Sequence, residues 1–231
     1  MKRLYEQLLL DHFSKFQQMA FLTGPRQVGK TSIADVCQSS FKYFKYLNWD
    51  DAADREIIIS NIDSVLDSFE LSIANNQKPL LIFDEIHKYK DWKNYLKGFI
   101  DKYKKTINIL VTGSAKLDIY KKGGDSLMGR YFLYRAHPLS VAELIRVNLA
   151  TTPLSEPKKI SDNKFNALFE FGGFPEPFLQ QNKSFSIRWQ RLRFHQLFEE
   201  QIREVSQIQE IAQMELLANL LKNQIGAQTK F

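Results

Sequence analysis

The sequence predicts an α/β fold in which a parallel β-sheet is flanked by helices and followed by a small all-helical region. Two observations carry this prediction. Short apolar runs that suit buried strands alternate with segments whose apolar residues recur at helical spacing. Between the first apolar run and the next helical segment lies the octapeptide GPRQVGKT, at residues 24–31. Parallel strands require crossover connections, and the intervening helical segments are long enough to supply them.

The first predicted elements lead into and out of this octapeptide. Leu4, Leu8 and Phe13 recur at roughly helical spacing, which predicts a packed helix at the start of the chain. Residues 19–23 form a short apolar run that predicts a buried strand. A second helix is expected to open at Thr31, directly after the glycine-bearing loop.

The chain then alternates between strand and helix patterns. Runs rich in aromatic and branched aliphatic residues predict strands, and longer segments with apolar residues on one side predict helices. The predicted strands are residues 43–48, 80–83, 107–111 and 131–134. The predicted helices are residues 52–59, 62–73 and 91–104.

The character of the sequence changes near residue 150. Residues 1–150 are expected to form the α/β core, and residues 151–231 a second, helical part joined by a linker at 151–159. Within the second part, the glycine- and proline-bearing residues 172–177 interrupt the helical pattern. Leucines at 216, 217, 220 and 221 give the last helix an apolar face. An absent partner, a shortened chain or an oligomer contact would each explain that face.

Composition limits the class of protein. Across 231 residues the net charge is +6, which permits a nucleic-acid partner without demonstrating one. No apolar run approaches the roughly 20 residues that a membrane-spanning helix needs. The single cysteine, Cys37, excludes an internal disulfide and fits a reducing compartment, so a cytoplasmic location is expected. We expect Cys37 to be a small buried residue and not a reactive thiol.

The octapeptide matches G-x-x-x-x-G-K-[ST], the pattern of a phosphate-binding loop. Its glycines let backbone N–H groups approach a phosphate without an obstructing Cβ atom. Lys30 is expected to place its charge on the outer phosphates and to be catalytic, while the Thr31 hydroxyl completes a Mg²⁺ shell. A chance glycine-rich turn is the alternative, and the strand–loop–helix context disfavours it. The predicted nucleotide-binding residues here are Gly24, Pro25, Arg26, Gln27, Val28, Gly29, Lys30, Thr31 and Ser32.

Two carboxylates follow the predicted strand at residues 80–83. Asp84 is expected to anchor the metal at the carboxyl end of that strand, and Glu85 to orient or deprotonate the attacking water. An acidic turn exposed to solvent is the usual meaning of such a pair. The phosphate-binding loop earlier in the chain favours the functional interpretation.

Polar residues at the ends of other strands are weaker candidates. Ser114, and Thr112 as second choice, would contact the terminal phosphate from the strand at residues 107–111, although Ser114 could equally cap a helix. Arg130 follows a glycine and suits an arginine that completes the catalytic site. Arg135 is its rival, and a solvated arginine at a strand end is the alternative for both.

The histidines and the basic clusters do not define a site. The four histidines lack metal-ligand spacing, so structural roles are expected for them. Solvated helix faces are favoured over nucleic-acid patches for two groups of basic residues. These groups are Lys88, Lys90, Lys93, Lys97, Lys102, Lys104 and Lys105, and Arg188, Arg191 and Arg193.

Five segments together resemble a prokaryotic group of AAA+-superfamily ATPases that carry a C-terminal domain of uncharacterised function. The segments are GPRQVGKT, LLIFDEIHK, VTGSAKLD, GRYFLYRAHPLSVAELIR and GGFPEP, in this order. The resemblance implies an AAA-like P-loop NTPase core with an extra strand between the two phosphate motifs, followed by a small helical lid. It also implies that the chain ends soon after the start of the C-terminal domain.

The resemblance also assigns roles to individual residues. The nucleotide and magnesium residues would be Gly24, Gly29, Lys30, Thr31, Asp84 and Glu85. Arg130 would match the family's arginine after glycine, and Pro175 would belong to the element that places the lid against the nucleotide. ATP and Mg²⁺ are the implied ligands.

The sequence therefore predicts a Mg²⁺-dependent ATPase whose hydrolysis step closes the lid. ATP is expected over GTP because no N-K-x-D guanine motif occurs. Two other classes remain open, a slow nucleotide-operated switch and a nucleic-acid-linked motor. The expected partners are ATP and, through a shared site, a second copy of the chain; a nucleic acid is a further candidate, and no membrane is expected.

Overall fold

A computed structural model describes residues 1–60, 62–67, 69, 78–114, 127–146, 156–198 and 211–223. Met1–Leu179 form one compact unit and Gln180–Phe231 a second. The predicted boundary near residue 150 lies outside the described residues and stays a prediction. Among the described residues, no helix has the length and apolar character needed to span a bilayer.

The first unit alternates helices and strands as the sequence predicts. Its strands are β1 (Met19–Thr23), β2 (Phe44–Asn48), β3 (Leu80–Asp84), β4 (Asn108–Gly113) and β5 (Tyr131–Arg135). Its helices are α1 (Leu4–Lys15), α2 (Lys30–Gln38), α3 (Ala52–Ser60), α4 (Ile62–Asp67), α5 (Trp92–Tyr103), α6 (Val141–Ile145), α7 (Asp162–Phe171) and α8 (Pro175–Gln180). The predicted helix at residues 62–73 is described as helical only over α4. A 3₁₀ turn at Ile86–Lys88 follows β3.

The five strands form one parallel sheet in the order β2-β3-β4-β1-β5. The predicted fold class, a parallel sheet flanked by helices, is confirmed. β4 lies between β1, which leads into the phosphate-binding loop, and β3, which ends in the acidic pair. Since all strands run in the same direction, the loops that follow β1, β2, β3 and β4 meet at one edge of the sheet. The candidate site lies at that edge.

Alternating residues of the central strands pack into two separate cores, one on each face of the sheet. One core contains Phe21, Phe83 and Val111 together with Trp92 and Phe99 of α5. The opposite core contains further residues of the same strands and of α1 and α2: Leu9, Ala20, Leu22, Ile33, Ala34, Cys37, Leu80, Ile82 and Leu110. Cys37 is buried as predicted, and burial raises the pKa of its thiol to about 12.

A small helical cluster follows the sheet within the first unit. Leu139, Ala167, Phe171 and Phe178 form its buried core. Gly173 allows α7 and α8 to join there, because a Cβ on this residue would lie 2.3 Å from the Leu139 carbonyl oxygen. The Leu139 amide donates to the Gly173 carbonyl at 2.6 Å, which fixes the start of α8.

The second unit contains helices α9 (Lys183–Gln196) and α10 (Ile211–Asn223). Leu216, Leu217, Leu220 and Leu221 are exposed on α10, which agrees with the apolar face expected from the sequence. The prediction of a solvated arginine face is wrong at Arg193. That residue is buried on the side of α9 that also buries Trp189, whereas Arg188 and Arg191 are exposed.

A buried ion pair ties the beginning of the chain to α6. The Arg3 guanidinium donates to both carboxylate oxygens of Glu143, at 2.6 and 3.2 Å, and the two side chains are only 6% and 7% exposed. Its third nitrogen, Nη1, donates to the carbonyl of Val28 at 2.8 Å, and Nη2, which also binds Glu143, donates to the carbonyl of His137 at 2.7 Å. One side chain therefore joins the N-terminus, the phosphate-binding loop, the segment after β5 and α6.

His12 connects the end of α1 to the sheet. Its Nε2 donates to the Gln18 carbonyl at 2.8 Å, and its Nδ1 accepts from the Tyr134 hydroxyl at 2.9 Å, which is the pattern of a neutral ring. The rings of Phe13, Phe16 and Phe132 surround it. Burial lowers the pKa of His12, with the Gln18 hydrogen bond acting against it. The expected structural role of this histidine is confirmed.

We expect the Arg3→Met substitution to lower the free energy of unfolding by about 3–5 kcal/mol, because it leaves Glu143 buried without its partner. Arg3→Lys should recover only part of this loss, since an ammonium cannot replace the bidentate guanidinium. Urea unfolding measures the effect. Lys15→Met is the control, because Lys15 is exposed and stands 3.7 Å from Asp11. Equal stability of the Arg3→Met and control variants would contradict this role.

We expect His12 to make folding pH-dependent. Its folded pKa lies below its unfolded value of about 6.5, so the unfolded state binds more protons in that range. The contribution is complete above about pH 6.5 and is lost as the pH falls toward the folded pKa. His12→Gln should flatten the loss of stability between about pH 7.5 and 5.5. Exposed His195 provides the control variant, His195→Gln, which should keep the slope; an unchanged slope in both variants would refute the assignment.

Candidate functional site

A cavity of about 730 Å³ opens at the carboxyl edge of the sheet, within the first unit. Its wall combines the phosphate-binding loop, the acidic end of β3, the end of β2 and the start of α8. The lining residues are Arg26, Gln27, Gly29, Lys30, Thr31, Ser32, Asn48, Asp50, Asp84, Glu85, Lys88, Pro175, Glu176 and Leu179. The structure thus brings together the loop and the two carboxylates that the sequence singled out separately.

The backbone of the loop depends on its two glycines. Gly24 passes so close to the segment after β5 that a Cβ would stand 2.3 Å from the Ala136 carbonyl oxygen. Gly29 has φ of 91°, a left-handed conformation that places it directly before α2. Gln27 also has positive φ, at 63°, which is uncommon for a residue with a Cβ. Gly24, Pro25 and Val28 complete the predicted loop beside the lining residues.

Lys30 and Thr31 occupy the first turn of α2, whose N-terminus favours negative charge. The Lys30 ammonium is buried and donates to the carbonyls of Gly24, at 3.1 Å, and Pro25, at 2.8 Å. A bound phosphate would offer this ammonium an anionic partner in place of neutral carbonyls. Thr31 and Ser32 are exposed to the cavity beside it.

The two acidic residues at the end of β3 differ in backbone conformation. Asp84 is the last residue of the strand and is buried. Glu85 follows in a left-handed conformation with φ of 56°, and its amide donates to the Thr112 carbonyl at 3.0 Å. Such a conformation costs on the order of 1–3 kcal/mol for a residue other than glycine. It turns the Glu85 side chain into the cavity immediately after Asp84.

The surroundings of Glu85 favour proton acceptance. Burial, and next the charge of Asp84, raises the pKa of Glu85, while Lys88 and Lys30 act in the opposite direction. The Glu85 carboxylate lies 3.6 Å from His87 Nε2 and 3.7 Å from Lys88 Nζ. A carboxylate with a raised pKa beside the phosphate loop is suited to take a proton from water.

Lys88 is exposed, as the sequence predicts, and it also lines the cavity. Its ammonium donates to both oxygens of Asp50 at 2.6 and 2.7 Å. Lys97, Lys102, Lys104 and Lys105 are exposed, in agreement with that expectation. Lys88 follows Glu85 by three residues, one helical turn, and this spacing was the sequence signal that Lys88 lies beside Glu85 at the cavity.

Both oxygens of Asp84 accept hydrogen bonds from hydroxyl groups of neighbouring strands. Thr112 Oγ1 on β4 donates to Oδ1 at 2.6 Å, and the Tyr46 hydroxyl on β2 donates to Oδ2. The side chain of Thr31 acts to lower the pKa of Tyr46. Burial, followed by the hydrogen bond to Asp84, raises the pKa of Tyr46, so the phenol keeps its proton. The sequence had placed Thr112 near a phosphate and had given Tyr46 no role.

Ser114 is not among the residues that line the cavity. Its hydroxyl is buried and lies 3.1 Å from His87 Nε2, the atom that also approaches Glu85. The structure therefore connects Ser114 to Glu85 through His87. Contact of Ser114 with a terminal phosphate stays a prediction.

The structure does not bring Arg130 to this cavity. Arg130 precedes β5, and its carbonyl accepts from the amide of Met19 at the start of β1, whereas the phosphate loop follows the end of β1. A strand of five residues separates the two ends, about 15 Å at 3.3 Å per residue. The Arg130 guanidinium contacts Asp101 at 2.8 and 2.9 Å. Arg135 ends β5 at the cavity edge, paired with Thr23, without lining the cavity.

Pro175 lies in the cavity wall with Glu176 and Leu179, all from α8. The Gly172–Gly173 pair makes this possible, because Gly172 has φ of 75° and Gly173 packs against the Leu139 carbonyl. The sequence had singled out Pro175 on resemblance alone. Glu176 and Leu179 were missed, although they follow Pro175 within one or two helical turns.

The oxygen ligands at the cavity fit a magnesium ion. Thr31 and Asp84 offer hard oxygen atoms beside Lys30, and Mg²⁺ is commonly held by one or two protein oxygens together with substrate phosphates. Within the described parts of the chain, no group of three or more histidine, cysteine or acidic side chains could hold a metal. A metal that depends on phosphate ligands is consistent with this arrangement.

Comparison with known proteins places these features in a family. A family model described as an AAA domain matches residues 16–145, more than half of the chain. The uncharacterized protein MJ1544 of Methanocaldococcus jannaschii is 27% identical over 205 residues, which cover 87% of this chain. The same alignment covers 45% of MJ1544, so the chain spans less than half of that relative.

Two solved structures are similar to this chain at low sequence identity. AMPPCP-bound DnaA from Aquifex aeolicus has a TM-score of 0.50 at 14% identity, covering 92% of this chain and 75% of that chain. The Aeropyrum pernix ORC1 protein in complex with DNA scores 0.40 at 12% identity, covering 61% and 47% of the two chains. The similarity to DnaA, the parallel sheet and the loop geometry agree with the AAA+ P-loop fold, and with the family match over residues 16–145 they lead to one conclusion: the chain belongs to the AAA domain family.

Proposed function

We propose that the protein is a Mg²⁺-dependent ATPase that converts ATP and water to ADP and phosphate. One observation carries the proposal. A single cavity is lined by the phosphate-binding loop, by Asp84 and Glu85, and by Pro175 of the helix that follows the sheet. These are the three groups that nucleotide binding, metal binding and nucleotide-dependent movement would need.

The loop and the first turn of α2 would bind the phosphates. Lys30 would exchange its carbonyl partners for phosphate oxygens, and the backbone N–H groups before α2 would add further donors. Thr31 and Asp84 would hold the magnesium ion, which neutralises phosphate charge when it is bound.

Glu85 would act as the base. Its raised pKa and its position in the cavity suit it to take a proton from the water that attacks the terminal phosphorus. The bond between the terminal phosphorus and the bridging oxygen then breaks, and ADP leaves. His87 and Lys88 would keep the Glu85 side chain oriented, since both lie within 4 Å of its carboxylate.

Helix α8 would respond to the nucleotide. Pro175, Glu176 and Leu179 line the same cavity as the loop and the acidic residues, so their contacts would differ between ATP, ADP and the empty cavity. A difference in contact energy between two states is what a ligand needs to move a segment. We propose that hydrolysis changes the position of α7 and α8 as a lid.

Two variants test the function. Lys30→Ala should abolish measurable ATP binding in calorimetry, because it removes the buried cation of the loop. Glu85→Gln should bind Mg²⁺-ATP with wild-type affinity and lose phosphate release by about 10²-fold or more, because an amide cannot accept the proton. Glu56→Gln is the matched control, because Glu56 is exposed on α3 and does not line the cavity. Unchanged turnover in Glu85→Gln would refute the base.

The same measurements separate the alternative functions. Tight binding with negligible phosphate release in the wild type would favour a nucleotide-operated switch. Stimulation of turnover by DNA or RNA, together with binding that weakens linearly in log K against log salt, would favour a nucleic-acid motor. The absence of both ATP binding and phosphate release would refute the ATPase proposal.

We further propose that Arg130 acts on the cavity of a second copy of the chain, since its own cavity lies at the opposite edge of the sheet. Mixing Arg130→Ala protein with Lys30→Ala protein should restore phosphate release, because one intact loop would meet one intact arginine. An arginine in such a role contributes about 10³- to 10⁵-fold to the rate. Arg135→Ala mixed with Lys30→Ala is the control. Mixtures no more active than their components would exclude a shared site.

A further inference from the structure

We propose that Tyr46 and Thr112 are positioning residues for the metal, holding the Asp84 carboxylate with one hydroxyl on each oxygen. This inference rests on the proposed ATPase function and adds two residues to its site. The hydrogen bonds that carry it join β2, β3 and β4 at the cavity.

The register of the sheet places these side chains on one face. Thr112 pairs directly with Asp84 across β4 and β3. Tyr46 pairs with Ile82, so Asp84 is its diagonal neighbour on the same face, within reach of an aromatic side chain. This is the face that packs against α2, whose first turn contains Thr31. The hydroxyl groups of Thr112 and Tyr46 therefore converge on one carboxylate from the two strands beside β3.

The chemistry suits a support for a metal ligand. An ionised carboxylate has about four lone-pair positions, so one donor on each oxygen fixes its rotation and still leaves positions for a metal or its water. Thr112 is fully buried and Asp84 is nearly so, so solvent cannot easily replace these donors. Residues that orient a metal ligand in this way typically change metal affinity by about 10- to 100-fold when they are removed.

The test measures ATP binding by calorimetry with Mg²⁺ and with EDTA. Tyr46→Phe removes only the hydroxyl, and we expect it to weaken Mg²⁺-ATP binding by about 10-fold or more while ATP binding in EDTA changes by less than about 2-fold. Direct Mn²⁺ binding in the presence of ATP, followed by electron paramagnetic resonance, should weaken in parallel. Tyr103→Phe is the control, because Tyr103 lies at the end of α5, against Phe99.

Thr112 provides an independent variant in case one substitution disturbs folding. Thr112→Val should reproduce the loss of Mg²⁺-dependent affinity, and Thr112→Ser, which keeps the hydroxyl, should restore it. Equal weakening with Mg²⁺ and with EDTA would mean a purely structural role and would overturn the inference, as would unchanged binding in both Tyr46→Phe and Thr112→Val. If the wild-type protein binds ATP with the same affinity in Mg²⁺ and in EDTA, both this inference and the proposed metal dependence are overturned.

Discussion

The phosphate-binding loop depends on a buried ion pair that lies behind it. Arg3 binds Glu143 through two nitrogens and the loop carbonyl of Val28 through a third. A buried guanidinium is tolerated because its donors meet a carboxylate and backbone carbonyls, so little of its hydrogen-bonding capacity is left unsatisfied. Because α6 provides Glu143, the loop, the N-terminus and the segment after the sheet share one support.

The cavity itself is built by backbone conformations that ordinary residues avoid. Gly24 permits contact with Ala136, Gly29 turns into α2, and Glu85 accepts a left-handed conformation. The strained conformation of Glu85 is held by the hydrogen bond from its amide to the Thr112 carbonyl and by the 3₁₀ turn that follows. Backbone strain of this kind persists only where surrounding contacts fix it. The same few hydrogen bonds thus set the position of the acidic pair relative to the loop.

Local sequence patterns were sufficient for the fold and for the motif residues. Each of the five predicted strands is present. The three central strands are buried and read as apolar runs, whereas the edge strands β2 and β5 are partly exposed and were indicated by their aromatic residues. The role of Arg3 could not be read in the same way, since its partner lies 140 positions away. Tyr46 has the pattern of an ordinary strand residue, and only the strand order brings it to Asp84. The distance of Arg130 from its own cavity likewise follows from strand direction, which no local pattern reports.

The position of β1 between β4 and β5 has a consequence for synthesis. β1 can pair only with strands that are translated much later, which begin at Asn108 and Tyr131. The loop gains its buried support later still, when Glu143 has emerged. The nascent chain therefore contains the complete phosphate-binding sequence long before the loop is held in a fixed conformation. Until then β1 is an unpaired apolar strand, the kind of segment that chaperones protect. Ligand binding on the ribosome must wait for nearly the whole sheet.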